Sequence, residues 1–212
     1  VNNLETLSNV PAIVTMGGKA YAKIGTPSSK GTKIVALSGN VAQPCWVEVA
    51  LGTKVDDIIK TFGNGTASGK KVKAFQTGGP SGGVLPAKQL KIKLDYDALA
   101  KAGTLLGSGG LLVMDEDADM VGLAGFLTDF FADESCGKCT PCREGVKQLQ
   151  EIMGNIADGR GTKEQLQLVK RMGDAMNDSC FCALGKTAAA PILAVMKHFP
   201  AEINKRMLKK IN

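Results

Sequence analysis

The segment E-S-C-G-K-C-T-P-C-R-E-G, residues 134–145, constrains this chain more than any other. Cys136, Cys139 and Cys142 stand there at two-residue gaps, within one loop and one helical turn. A structural zinc site usually draws its ligands as two separated pairs. The grouping here is three plus one, which suits a cubane iron–sulfur cluster: one short loop holds three irons and a distant cysteine holds the fourth. The downstream candidates for that ligand are Cys180 and Cys182, in S-C-F-C-A-L-G. A zinc site and a cluster of free thiols are the competing readings.

The neighbouring residues suit an anionic, sulfur-rich group. Gly137 and Gly145 allow tight turns, and Pro141 marks the start of a helix whose N–H groups face the loop. Lys138 and Arg143 add positive charge. Cysteine usage agrees. The chain carries 6 cysteines and opens without a secretory signal, so a disulfide framework is disfavoured against metal binding. Its first residue is Val1, inside a patterned segment, as expected of a fragment or of a chain whose front has been removed.

Composition narrows the class. With 44% hydrophobic and 22% charged residues the chain is globular, and no apolar run approaches the roughly 20 residues of a spanning helix. A net charge of +6 is spread over lysines, with small clusters at Lys70–Lys73 and Lys205–Lys210. Aromatics are 5% and do not interleave with those clusters, so the basic surface is read as solvated and not as a nucleic-acid face.

Periodicity divides the chain into three regions, 1–25, 26–115 and 116–212. In the first, Leu4, Leu7, Val10 and Ile13 recur at helical spacing behind Asn3, a plausible N-cap. It reads as the end of a larger unit. In the second, strands are expected at Lys33–Ser38, Cys45–Leu51, Val72–Gln76, Leu90–Leu94 and Leu111–Met114. A short helix is expected after Thr53, with Thr53 as its cap, Asp56 as a short-armed capping acid and Gly63 as its end. This pattern is that of a small β-grasp domain. Cys45 is read as a core or surface thiol, and Trp46 as core or a subunit contact.

The third region is helical. Met120, Leu123, Leu127 and Phe130–Phe131 form one stripe, and Val146, Leu149, Ile152, Met153 and Ile156 another. Thr162 to Gln165 is a capping-box pattern ahead of Leu166, Val169, Met172 and Met176. A fourth helix is expected from about Lys186 to His198, with Pro200 separating it from a last basic helix. Short links between these helices suggest a four-helix bundle, with the methionines as core filling. His198, the single histidine, is expected to cap or support a helix end. The fold class is therefore α+β, a β-grasp domain followed by a helical bundle that carries the cluster.

E-S-C-G-K-C-T-P-C-R-E-G together with F-C-A-L-G resembles the flavoprotein subunit of NADH:quinone oxidoreductase and the corresponding subunits of NAD(P)-linked hydrogenases and formate dehydrogenases. The resemblance extends to V-N-N-L-E-T-L-S-N-V-P at the start, K-G-T-K-I-V-A-L-S-G-N-V near residue 35, and L-D-Y-D-A-L-A-K-A-G-T-L-L-G-S-G-G-L-L-V-M-D-E before the cysteine loop. It implies a β-grasp (ubiquitin-like) domain and a helical 4Fe-4S domain after a flavin-binding domain. It also implies Cys182 as the fourth ligand beside Cys136, Cys139 and Cys142, and Cys180 as a neighbour. Asn2, Asn3 and Thr6 would contact FMN in the intact subunit, with Ala183 and Leu184 near the flavin. Lys186 stands where the family more often has Asp.

The function implied is relay of single electrons from FMN through a 4Fe-4S cluster, within an enzyme that oxidises NAD(P)H. The partners implied are a 2Fe-2S thioredoxin-like subunit and a larger iron–sulfur subunit, and the location is cytoplasmic. The family's glycine-rich nicotinamide and flavin segments are absent. T-G-G-P-S-G-G at Thr77–Gly83 and G-S-G-G at Gly107–Gly110 lack a strand-loop-helix frame and read as turns. The piece alone is therefore expected to be inactive, with no catalytic residue. The competing function is a non-catalytic interaction module, its β-grasp domain docking a partner or ligand and its helices stapled by zinc.

Overall fold

Asn3 begins the ordered architecture. In a computed structural model that describes residues 1–208, its side chain accepts the Thr6 N–H at 3.2 Å and caps helix α1 (Leu4–Met16). The short α2 (Gly18–Tyr21) follows. Helix α1 buries none of its own side chains, and Leu4, Leu7 and Val10 stay exposed along the expected stripe. What ties α1 down is polar. Glu5 accepts the Ile34 N–H at 2.8 Å and pairs with Lys33. Lys33 is buried, where an unpaired ammonium would be costly.

Five strands form one mixed sheet: β1 (Thr32–Gly39), β2 (Cys45–Ala50), β3 (Val72–Thr77), β4 (Val84–Pro86) and β5 (Gly110–Asp115), in the order β2-β1-β5-β3-β4. The central β1–β5 pair is parallel and the other pairs are antiparallel. Alternation along the inner strands serves two cores. Phe75, Leu85 and Val113 face one apolar cluster, while their neighbours Ala74, Val84 and Met114 face the other. Because both faces are covered, β3, β4 and β5 lack the polar alternation of a half-exposed strand.

The first cluster lies under α3 (Val55–Thr61) and α4 (Tyr96–Ala102), with Val55, Ile58, Ile59 and Leu99 inside. Two expectations fail here for one reason. Leu90–Leu94 is not a sheet strand: its carbonyls at Leu90 and Ile92 accept the N–H groups of Asp56 and Val55 at 2.9 and 3.1 Å. The segment thus satisfies the free N–H groups at the start of α3. Thr53 is therefore not the cap. Its hydroxyl donates to the Ala50 carbonyl at 2.7 Å, and Lys54 occupies the cap position without a side-chain bond. The strand in this region is β4, and α4 was not foreseen.

The second cluster is helical. It joins α5 (Met120–Glu134), α6 (Thr140–Ala157), α7 (Lys163–Ser179), α8 (Ala183–Thr187), α9 (Ala190–His198) and α10 (Pro200–Lys205) to the sheet. Helix α5 packs on α6 and α9, α6 on α7, α8 on both α6 and α7, and α9 on β4. Phe131, Leu149, Ile156, Val169 and the methionines 120, 153 and 176 are buried, as their spacing requires. The Thr162–Gln165 capping box is present in both directions. The expected helix from Lys186 to His198 is instead two, α8 and α9, divided at Ala188–Ala189 ahead of Pro191.

Phe130 is partly exposed where a single stripe had it inward, and Trp46 is 82% exposed, so it is not core. Cys45 is half-buried, its thiol donating to the Phe62 carbonyl at 3.7 Å. Half-buried His198 sits in the last turn of α9, its imidazole pushed toward neutrality by burial and then by Lys197 and Lys88. In the expected basic cluster at the C-terminal end, Lys209 and Lys210 lie outside the described residues. Among the described residues no helix is long and apolar enough to cross a membrane.

Candidate metal centre

The cysteine loop is built around the start of α6. Cys139 occupies the N-cap position, and its carbonyl accepts the N–H groups of Cys142 and Arg143 at 3.1 and 3.0 Å. Pro141 falls in the first turn, where it costs no hydrogen bond. The loop before it turns at Gly137, whose φ of 71° lies in the left-handed region that favours glycine. Arg143 closes that loop: Nη1 donates to the Gly137 carbonyl at 2.7 Å and Nη2 to the Thr140 hydroxyl at 3.3 Å. Ser135 Oγ lies 3.3 Å from Cys142 Sγ and accepts the Gly137 N–H at 3.3 Å.

A second segment meets this one. Cys180 ends α7 and Cys182 precedes α8, both in extended backbone, with Phe181 between them. The Cys139 thiol is held below its ordinary pKa, first by the Phe181 N–H and further by the Cys142 N–H and the Cys180 side chain, against the opposing effect of burial. Donors of this kind favour thiolate, the form that ligates iron or zinc. Cys180 behaves oppositely. Burial, and then the charges of Cys139, Cys142 and Cys182 around it, push its thiol up to about 11.

Depth orders the thiols. Cys142 and Cys180 are buried, Cys139 is half-buried, and Cys136 and Cys182 are exposed. The structure thus draws Cys139, Cys142 and Cys182 into one neighbourhood around Cys180, while Cys136 lies exposed at the loop's outer end. The sulfurs do not crowd round one point: among the described residues no three Cys, His, Asp or Glu side chains are grouped to bind a single ion. The donor set fits a cubane, whose cysteines are spread over separate iron corners. Thiols at two helix starts, with backbone N–H groups lowering the Cys139 pKa, are of the kind that could ligate and hydrogen-bond such a cluster.

Cys180's central position was not anticipated. A signal for it exists in the sequence. Val169, Gly173, Met176 and Cys180 follow one another at helical spacing, and all are buried, so Cys180 continues the inward stripe of α7 whereas Cys182 does not.

The candidate flavin residues fall into two places. Asn3 and Thr6 line a cleft of about 720 Å³ between α1 and the sheet, together with Lys33, Trp46 and Tyr96. Asn2 is exposed at the start of the chain. Ala183 and Leu184 are in α8 beside Cys182 and do not line that cleft. Lys186 is exposed on α8.

Residues 122–206 match the family model of the NADH-ubiquinone oxidoreductase-F iron-sulfur binding region, and residues 34–85 match the SLBB domain. The chain is 46% identical over 202 residues to the NADP-reducing hydrogenase protein HndC of Solidesulfovibrio fructosivorans, covering 95% of this chain and 41% of that protein. It is 38% identical over 208 residues to the F component of the NADH-quinone oxidoreductase of Rickettsia rickettsii, covering 98% and 49%. A chain of the crystal structure of an NAD+-reducing NiFe-hydrogenase in the H2-reduced state superposes with a TM-score of 0.89 at 33% identity, covering all of this chain and 36% of that one. The chain thus spans about half or less of the length of these relatives.

Proposed function

We propose, since residues 122–206 belong to the NADH-ubiquinone oxidoreductase-F iron-sulfur binding region and residues 34–85 to the SLBB domain, that this chain is the electron-relay portion of an NAD(P)H-oxidising flavoprotein subunit. Cys136, Cys139, Cys142 and Cys182 would hold a 4Fe-4S cluster. When bound, the cluster supplies one-electron transfer between FMN and the iron–sulfur groups of partner subunits. The chain's own residues set its surroundings. The start of α6 and the Phe181 N–H direct positive dipole ends at sulfur, Arg143 fixes the loop, and the buried Cys142 side excludes water. These are the levers that tune a cluster's potential.

The single observation that carries this reading is the packing of Cys180 and Cys142 about Gly185, where a Cβ would stand 2.7 Å from Cys180 Sγ and 3.1 Å from Cys142 Cβ. It joins the three-cysteine loop to the segment bearing the remaining thiols. The architecture supports the same reading. A sheet ordered β2-β1-β5-β3-β4 around a parallel central pair, with α3 across it, is consistent with a β-grasp domain over 26–115. Helices α5, α6, α7 and α9 are consistent with a four-helix bundle within 116–212. Residues 1–25 would belong to a flavin-binding domain, with Asn2, Asn3, Thr6, Ala183 and Leu184 near FMN. In the whole protein we place NAD(P)H oxidation, a 2Fe-2S thioredoxin-like partner, a larger iron–sulfur partner and a cytoplasmic location.

Anaerobic reconstitution with iron and sulfide tests the proposal. The expected product is brown and holds about four irons per chain, and Cys142→Ala abolishes it. A colourless chain that retains one zinc and refuses iron would favour an interaction module instead.

A further inference from the structure

The structure holds a fifth thiol against the centre. Cys180 is buried, two residues from Cys182, and packed together with Cys142 about Gly185. Packing keeps it there. Gly185, in the first turns of α8, is wedged between two cysteines: a Cβ built on it would stand 2.7 Å from Cys180 Sγ and 3.1 Å from Cys142 Cβ. Only a glycine lets α8 press both thiols together. The inward stripe of α7 ends on Cys180, so its sulfur is delivered by a 17-residue helix and not by a free loop. Cys182, by contrast, is exposed and sits at the start of a helix of 5 residues. One linker therefore carries two thiols two residues apart, one deep and packed against Cys142 about Gly185, the other shallow.

On the proposed cluster reading, we infer that Cys180 is a reserve ligand, able to take the fourth iron when Cys182 is lost or modified. In such an exchange the iron–sulfur bond to Cys182 would break and a bond from the Cys180 sulfur to the same iron would form; the Cys180 proton would leave to solvent and the released Cys182 thiolate would take one up. No electron is gained or lost. Because Cys180 lies deeper than Cys182, a cluster held by Cys180 would have a more buried ligand with different hydrogen bonds, which would alter its magnetic signature.

The test uses the full chain, reconstituted anaerobically with iron and sulfide, as wild type, Cys182→Ala, and Cys180→Ala/Cys182→Ala. Alanine is chosen because a serine oxygen could itself ligate iron. Iron content and the electron paramagnetic resonance of the dithionite-reduced protein are read, and circular dichroism verifies that each variant is folded. The expected result is about four irons per chain in wild type and in Cys182→Ala, with shifted g-values in the variant, and loss of the cluster in the double variant. Three outcomes overturn the inference: a Cys182→Ala chain without four irons, one with unchanged g-values, or a double variant that still loads. A wild-type chain that takes up no iron would instead refute the cluster reading itself.

Discussion

The backbone N–H of Phe181 lowers the pKa of the Cys139 thiol more than any other group does, so a residue of the α7–α8 linker favours thiolate at the start of α6. The Phe181 side chain is 77% exposed and contributes little to packing, which separates the role of its backbone from that of its ring. The extended conformation of Cys180, with ψ 147°, suits a residue that precedes proline.

Phe181→Pro, which deletes the N–H, should therefore raise the pKa of Cys139 and weaken cluster binding by about 10- to 100-fold, the usual cost of losing a supporting hydrogen bond around a metal. Phe181→Ala keeps the N–H and should change stability by less than about 0.5 kcal/mol. Thiol alkylation against pH in the metal-free chain, and iron retention against a chelator, check the pair.

Arg143 should act on the loop and not on the helical region. Its Nη1 bond to the Gly137 carbonyl fixes the turn between Cys136 and Cys139. Arg143→Ala should lower cluster retention by about 10-fold or more while leaving the thermal unfolding of the metal-free chain nearly unchanged. Arg143→Lys should recover only part of the loss, because lysine restores the charge without the planar fork. Chelator-challenge kinetics and calorimetry separate the two effects.

Gly185→Ala should destabilise the helical region by about 1–3 kcal/mol, the range for overpacking a filled site. The new methyl would meet Cys180 Sγ at 2.7 Å and Cys180 Cβ at 2.9 Å. Adding Cys180→Ala should relieve only the sulfur part of the clash. Urea denaturation of the metal-free variants measures both.

Asp95 sets the response to acid. It caps α4 through the Ala98 N–H at 3.0 Å and accepts hydrogen bonds from the Thr26 and Ser28 hydroxyls. The Thr26 hydroxyl foremost, then the Ala98 N–H, lower its pKa from 3.8 to about 2. A depressed carboxyl stabilises the fold above its unfolded value and loses that contribution as pH falls through the folded one. The stability gap between wild type and Asp95→Asn should thus be constant above pH 3.8 and close as pH drops toward about 2. Denaturation midpoints across that range give the curve.

Local signals carried much of this fold. The apolar spacing of α6 and α7, the Thr162–Gln165 capping box and four of the five strands were legible because neighbours in sequence supply their own warrant. Leu90–Leu94 misled because its apolar alternation serves the start of α3, a partner remote in the chain, and not the sheet. The centre divides the same way. The spacing of Cys136, Cys139 and Cys142 is a local pattern, whereas the burial of Cys180 beside Cys139 depends on how α7 and α8 pack on α6. Only the helical phase from Val169 through Met176 hinted at that burial.

Electron paramagnetic resonance of the anaerobically reconstituted, dithionite-reduced chain tests the relay most directly. The expected spectrum is a half-spin signal that integrates to about one electron per chain and vanishes on one-electron reoxidation. A folded chain with its thiols intact that stays silent through reduction, whether metal-free or holding zinc, would contradict it.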